Sequence, residues 1–168
     1  MEKVNPPVLE IPEGDLVVFD VDSTLSTVES FDEAALLLGG KTLQQMFHSI
    51  TELTTSGDLG YHAALEARVQ AFVDRKLTLS KVKMISRSMS RDQYISKSVL
   101  EHREFFRRNA ALKRILIVTG TFYELIADLL RTLHIPRELV IANQFRWRKN
   151  RVIGYQRRLL ASHDEPKV

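Results

Sequence analysis

The stretch Leu16–Leu25, LVVFDVDSTL, decides how the chain is read. Leu16, Val17, Val18 and Phe19 form an apolar run that leads into Asp20, and a second acid follows at Asp22. Pro12 and Gly14 stand before the run. A short continuous apolar run after turn residues fits a strand buried on both faces, as in a parallel sheet. Two carboxylates at the mouth of such a strand repel unless a cation lies near them. Mg²⁺ suits hard oxygen ligands and is normally completed by water and substrate phosphate. An aspartate can also act as a nucleophile, and a neighbour two residues on can protonate a leaving alkoxide and then activate water. Two solvated turn acids are the plain alternative.

Strand signals return at Arg114–Gly120, RILIVTG, and again at Glu138–Gln144, ELVIANQ. A hydroxyl at the end of a buried strand, followed by glycine and a helix start, makes an anion site, because free N–H groups and the helix dipole favour phosphate. Thr119 and Gly120 occupy that position, where an ordinary helix-capping turn would look the same. Residues 121–135 read as an amphipathic helix with Thr121 and Glu124 in capping-box spacing. Residues 145–156 read as a hairpin turning near Lys149–Asn150.

Between the first two strands the pattern is helical. Residues 30–40 begin with Ser30 and Glu33 in capping-box spacing and end at Gly39–Gly40. Helices are expected over 41–55, 56–76, 78–89 and 94–111. Strands alternating with helices favour an α/β fold with a parallel sheet, and the helical stretch is too long for one crossover, so part of it forms an inserted cap. Ligands bind beyond the carboxyl ends of such strands, where Asp20 and Thr119 stand.

The chain has 168 residues, 44% hydrophobic and 27% charged, which fits one domain, or one domain with a modest insertion. Its net charge of +3 suits an anionic ligand. There are no cysteines, which excludes disulfides and thiolate metal sites. The N-terminus lacks the apolar core of a secretory signal, and no apolar run is long enough to span a membrane, so a cytoplasmic protein without a membrane partner is expected. Arg146, Arg148, Lys149, Arg151, Arg157 and Arg158 interleave with Trp147 and Tyr155. Alternation along a hairpin explains that pattern as a solvated face, and no nucleic-acid partner is expected.

Together the elements resemble the haloacid dehalogenase superfamily, in which DVDST matches the first motif and VTG the second. DVDSTLSTVESFDEAALLLG and SGDLGYHAALEARV are similar to the matching segments of phosphoserine phosphatases. The resemblance runs from Leu16 to the C-terminus and implies a Rossmann-like core, 1–24 and 91–168, with a helical cap over 25–90. It implies an Mg²⁺-dependent phosphomonoester hydrolase that forms an aspartyl phosphate. Asp20 would be nucleophile and metal ligand, and Asp22 the acid/base, with its backbone carbonyl on the metal. Thr119, with Gly120, would hold the phosphoryl group. Lys167 falls where the family places its third-motif lysine; a solvated tail lysine is the alternative.

Arg68 is informative by itself. It lies inside the apolar stripe of Leu65, Val69 and Phe72, so it should meet an anion or snorkel outward. The resemblance places it on a substrate carboxylate and Glu29 on a substrate ammonium, which implies phosphoserine or a similar small amino-acid phosphate. Two departures bear on the substrate. Thr54 stands where the family often has methionine, and Thr121 where it has glycine or serine.

The family's fourth motif, a strand ending in Gly-Asp that supplies a further metal ligand, has no counterpart here. The core is therefore expected to be incomplete at the C-terminus, with the first strand an exposed edge that a second copy, a partner or an exchanged segment covers. The alternative to the phosphatase is a truncated or inactive relative that acts as a binding or interaction protein.

Overall fold

β1 (Val17–Phe19) and β2 (Ile115–Phe122) run parallel in the computed structural model, which describes residues 9–158. β3 (Val140–Arg148) lies parallel to β2, and β4 (Arg151–Gln156) returns antiparallel to β3. The sheet order is β1-β2-β3-β4, an α/β arrangement with one antiparallel edge. The hairpin turns at Lys149–Asn150 as expected, with Lys149 in the left-handed region at φ 46°. Lys167 lies outside the described residues.

Among the described residues the order makes β1 an edge, as expected, whereas the exposure of its outer face corrects the reading of a strand buried on both faces. Phe19 packs against Phe105 and Phe106, with ring centroids 6.4 and 5.2 Å away. Val18 is 55% exposed, and Leu16 and Ile141 are also exposed. Val18 pairs with Leu116 and Val118 with Ile141, so these side chains share the face that α5 and α6 leave open.

The helical stretch comprises α1 (Ser30–Ser56), α2 (Tyr61–Asp74), α3 (Leu79–Met89), α4 (Lys97–Glu101) and α5 (Arg103–Ala111). α1 joins the two expected helices at Gly40, whose φ of 69° and ψ of −165° kink it. The single helix expected over 94–111 is broken at His102, which leaves helical geometry at φ −113°, ψ 26°. α6 (Tyr123–Thr132) packs against β2, β3 and α3.

Neither expected capping box forms. Glu29 is the N-cap of α1, Ser30 is its first helical residue, and Glu33 accepts a hydrogen bond from the Ser88 hydroxyl at 3.1 Å. Thr121 belongs to β2, because Phe122 still pairs with Asn143 of β3 and delays the helix start. Glu124 turns instead to the Phe145 N–H at 3.1 Å.

An aromatic cluster joins helices to sheet. Phe31 and Phe47 of α1, Phe72 of α2, Phe122 of β2 and Phe145 of β3 are all buried. Phe122 and Phe145 stack at 4.0 Å, and Phe31 meets Phe122 edge-on at 5.7 Å. Burial of each ring contributes up to about 3 kcal/mol. Among the described residues no helix is long and apolar enough to cross a membrane.

Candidate active site

The chain leaves β1 at Asp20, whose Oδ1 accepts the N–H of Val21 at 2.6 Å. The N–H groups of Thr24, Leu25 and Ser26 all point to the carbonyl of Val21, and Ser23 adopts φ 56°. This tight turn brings Asp22 back against the start of α1. There Asp22 Oδ1 accepts the Ser30 N–H at 3.0 Å and Oδ2 accepts the Ser30 hydroxyl at 2.9 Å. The Ser30 hydroxyl also meets the Thr121 hydroxyl of β2. Burial, then the charge of Glu29, pushes the Asp22 carboxyl up to about 7, against the Ser30 hydrogen bonds that lower it.

Thr119 is buried within β2, three residues before its end, and the Thr121 N–H lies 3.5 Å from its hydroxyl. The Gly120 carbonyl accepts Asn143 Nδ2 at 2.8 Å and the Tyr61 hydroxyl at 3.2 Å. Arg68, on α2, does not snorkel; it is 8% exposed. Its Nη2 donates to the Thr51 hydroxyl at 2.7 Å, and its guanidinium lies over Phe31, 5.0 Å from the ring centroid. Its Nε is buried without a hydrogen-bond partner, and so is Asp32 Oδ1. Burial lowers the Arg68 pKa and raises that of Asp32. Glu29 accepts the Ser23 hydroxyl at 2.7 Å.

One cavity of about 260 Å³ gathers Asp20, Asp22, Glu29, Arg68, Thr119 and Gly120. These are the expected site residues that fall within the described chain. A larger cavity, about 580 Å³, lies beside β3 and contains one acid, Glu138, but no carboxylate pair. The chemistry therefore favours the smaller one. Thr54 lines it as expected, and Thr51, Thr55, Tyr61 and Asp32 join it without having been singled out in the sequence. Asp32 follows Glu29 by three residues, a helical spacing that would have flagged it. Tyr61 and Asn143 carry no comparable local signal.

Among the described residues no three metal-ligating side chains come together. The Asp20 carboxylate and the main-chain oxygen of Asp22 are hard donors of the kind Mg²⁺ takes alongside water and phosphate oxygens. The Asp22 carboxylate is engaged by Ser30. The donor chemistry fits the ion, with few protein ligands.

No family model matches the chain, and no curated protein does. Solved structures do. A phosphoserine phosphohydrolase-like protein from Francisella tularensis aligns at TM-score 0.68 and 22% identity, over 84% of this chain and 64% of its own. A phospho-aspartyl intermediate analogue of phosphoserine phosphatase aligns at TM-score 0.59 and 22% identity, over 82% and 60%. A HAD family hydrolase from Salmonella enterica serovar Typhi aligns at TM-score 0.63 and 19% identity, over 84% and 44%. The chain thus spans less than two thirds of the length of each. The described residues carry the α/β fold of haloacid dehalogenase-type hydrolases, and phosphoserine phosphatases are among the structures they resemble.

Proposed function

We propose that the chain is the core and cap of an Mg²⁺-dependent phosphomonoester hydrolase that works through an aspartyl phosphate. Phosphoserine or a similar small amino-acid phosphate is its substrate. The observation that carries this reading is the convergence of Asp20, Asp22, Thr119, Arg68 and Glu29 on one cavity, although they come from three separate parts of the chain.

Asp20 attacks phosphorus, the ester P–O bond breaks, and Asp22 gives its proton to the leaving alkoxide. Asp22 then takes a proton from water, which attacks the acyl phosphate, releases inorganic phosphate and restores Asp20. A carboxyl pushed up to about 7 is suited to both steps near neutrality. Thr119 and the peptide N–H groups beyond it receive the phosphoryl oxygens. Arg68 takes the substrate carboxylate and Glu29 its ammonium. When bound by Asp20 and the Asp22 carbonyl, Mg²⁺ would neutralise charge on the phosphoryl oxygens.

One observation favours a second reading, a non-catalytic relative that binds phosphorylated ligands: the absence of a three-ligand cluster among the described residues. Phosphate release from phosphoserine with Mg²⁺, measured beside Asp20→Asn, separates the two. Release that the substitution abolishes supports the hydrolase. No release from the folded wild-type chain supports the binding protein.

A further inference from the structure

We infer that Tyr61 couples docking of α2 to the shape of the phosphate cradle, as a positioning residue; the inference rests on the phosphatase reading above. A carbonyl oxygen has two lone pairs. On Gly120 both are taken, by Asn143 at 2.8 Å and by the Tyr61 hydroxyl at 3.2 Å. The two donors come from different layers. Asn143 is fully buried in β3 and its Oδ1 accepts the N–H of Arg158 at 3.0 Å, so it is fixed to the sheet. Tyr61 is the first residue of α2, in the inserted helices.

A trans peptide holds its C=O and N–H on opposite sides. All peptides among the described residues are trans, so donors that anchor the Gly120 carbonyl turn the Thr121 N–H the other way. That N–H stands 3.5 Å from the Thr119 hydroxyl, the group assigned to the phosphoryl oxygens. Tyr61 also explains the glycine. A Cβ at position 120 would come 2.9 Å from the Tyr61 oxygen, too close for the tyrosine to keep its place. When α2 moves away, the cradle peptide keeps only the Asn143 anchor. Docked α2 favours bound phosphate, and by reciprocity bound phosphate favours docked α2.

The test uses inorganic phosphate with Mg²⁺ as the probe, read by calorimetry and by hydrogen exchange of the α2 and β2 amides. In the wild-type chain phosphate should slow exchange at the start of α2 as well as at the end of β2. Tyr61→Phe keeps the ring and removes the hydroxyl. It should weaken phosphate about three- to tenfold, the range of one neutral hydrogen bond, and α2 protection should no longer respond to phosphate. Gly120→Ala, whose methyl displaces the hydroxyl, should break the same response by an independent route. Wild-type affinity and wild-type α2 protection in Tyr61→Phe would overturn the coupling while leaving the phosphatase reading intact. A wild-type chain that does not bind phosphate would overturn both.

Discussion

The hydroxyl and the main-chain N–H of Ser30 both donate to one carboxylate, that of Asp22, at 2.9 and 3.0 Å. The first residue of α1 thereby fixes the orientation of an acid in the loop after β1. The Thr121 hydroxyl completes the chain from the side of β2. Ser30→Ala keeps the N–H bond and removes the rest, leaving the Thr121 hydroxyl buried without this partner. We expect a stability loss of about 1–3 kcal/mol, the cost of an unsatisfied buried polar group. Phosphate release should fall about tenfold, equivalent to about 1.4 kcal/mol in the barrier. Urea denaturation beside steady-state kinetics checks both, and unchanged turnover in a folded variant would mean that Ser30 does not position Asp22.

Arg68 is a buried cation with no carboxylate within salt-bridge distance among the described residues. Burial lowers its pKa, and its Nε has no hydrogen-bond partner among the described residues. Arg68→Met preserves much of the side-chain volume and removes that charge. Hydrolysis of phosphoserine should drop about a hundredfold, within the range for losing one partner of a buried charge pair. Hydrolysis of p-nitrophenyl phosphate, which has no carboxylate, should stay within a few fold. Equal losses on both substrates would make Arg68 a structural residue. Since replacing a buried charge by an apolar group is often neutral or stabilising, the variant should not lose stability.

The α/β sheet, the helices between its first two strands and the nearness of Asp20 and Asp22 to one cavity were legible because each depends on local pattern. The run Leu16–Phe19 and the Lys149–Asn150 hairpin are short-range signals and stand where they were read, whereas VTG, read as a strand end leading into a helix, lies inside β2, which continues to Phe122. Ser30–Glu33 and Thr121–Glu124 misled for one reason. Capping-box spacing is satisfied locally, whereas Ser30, Glu33 and Glu124 found tertiary partners in Asp22, Ser88 and Phe145. Tyr61 and Asn143 were invisible because their roles depend on a meeting of α2, β2 and β3 across 82 residues. The edge position of β1 followed from the missing motif, but the exposure of Val18 contradicted the apolar run that first suggested burial on both faces.

Glu124 supplies a pH dependence distant from the carboxylate pair. Burial raises its pKa, despite hydrogen bonds from its own main chain, from Phe145 and from Trp147 that lower it. The folded chain therefore keeps this proton after the unfolded chain has released it. Its contribution to stability is fully present below the ordinary carboxyl range and is lost as pH rises towards the raised value. Glu124→Gln carries no titrating proton and can still accept a hydrogen bond from the Phe145 N–H. Its melting temperature should match wild type near pH 4, gain on it as pH rises through the raised Glu124 value and level off above it. A constant difference across that range would mean that Glu124 titrates as an ordinary glutamate.

β1 presents the strongest association surface. Among the described residues it is paired on one side only, by β2, which leaves its other edge without a strand neighbour there. Leu16 and Val18 are about half exposed beside that edge, and Ile141 extends the apolar face across the sheet. Edge strands avoid pairing with other chains when they carry a charge, lysine above all. We therefore expect the wild-type chain to associate as concentration rises, and Val18→Lys to shift the distribution towards monomer. Small-angle scattering over a concentration series, on both proteins, measures this directly. A wild-type chain that stays monodisperse and monomeric throughout would show that the three-residue edge is too short to recruit a neighbour. The apolar face of Leu16, Val18 and Ile141 would then be tolerated in water without a cover.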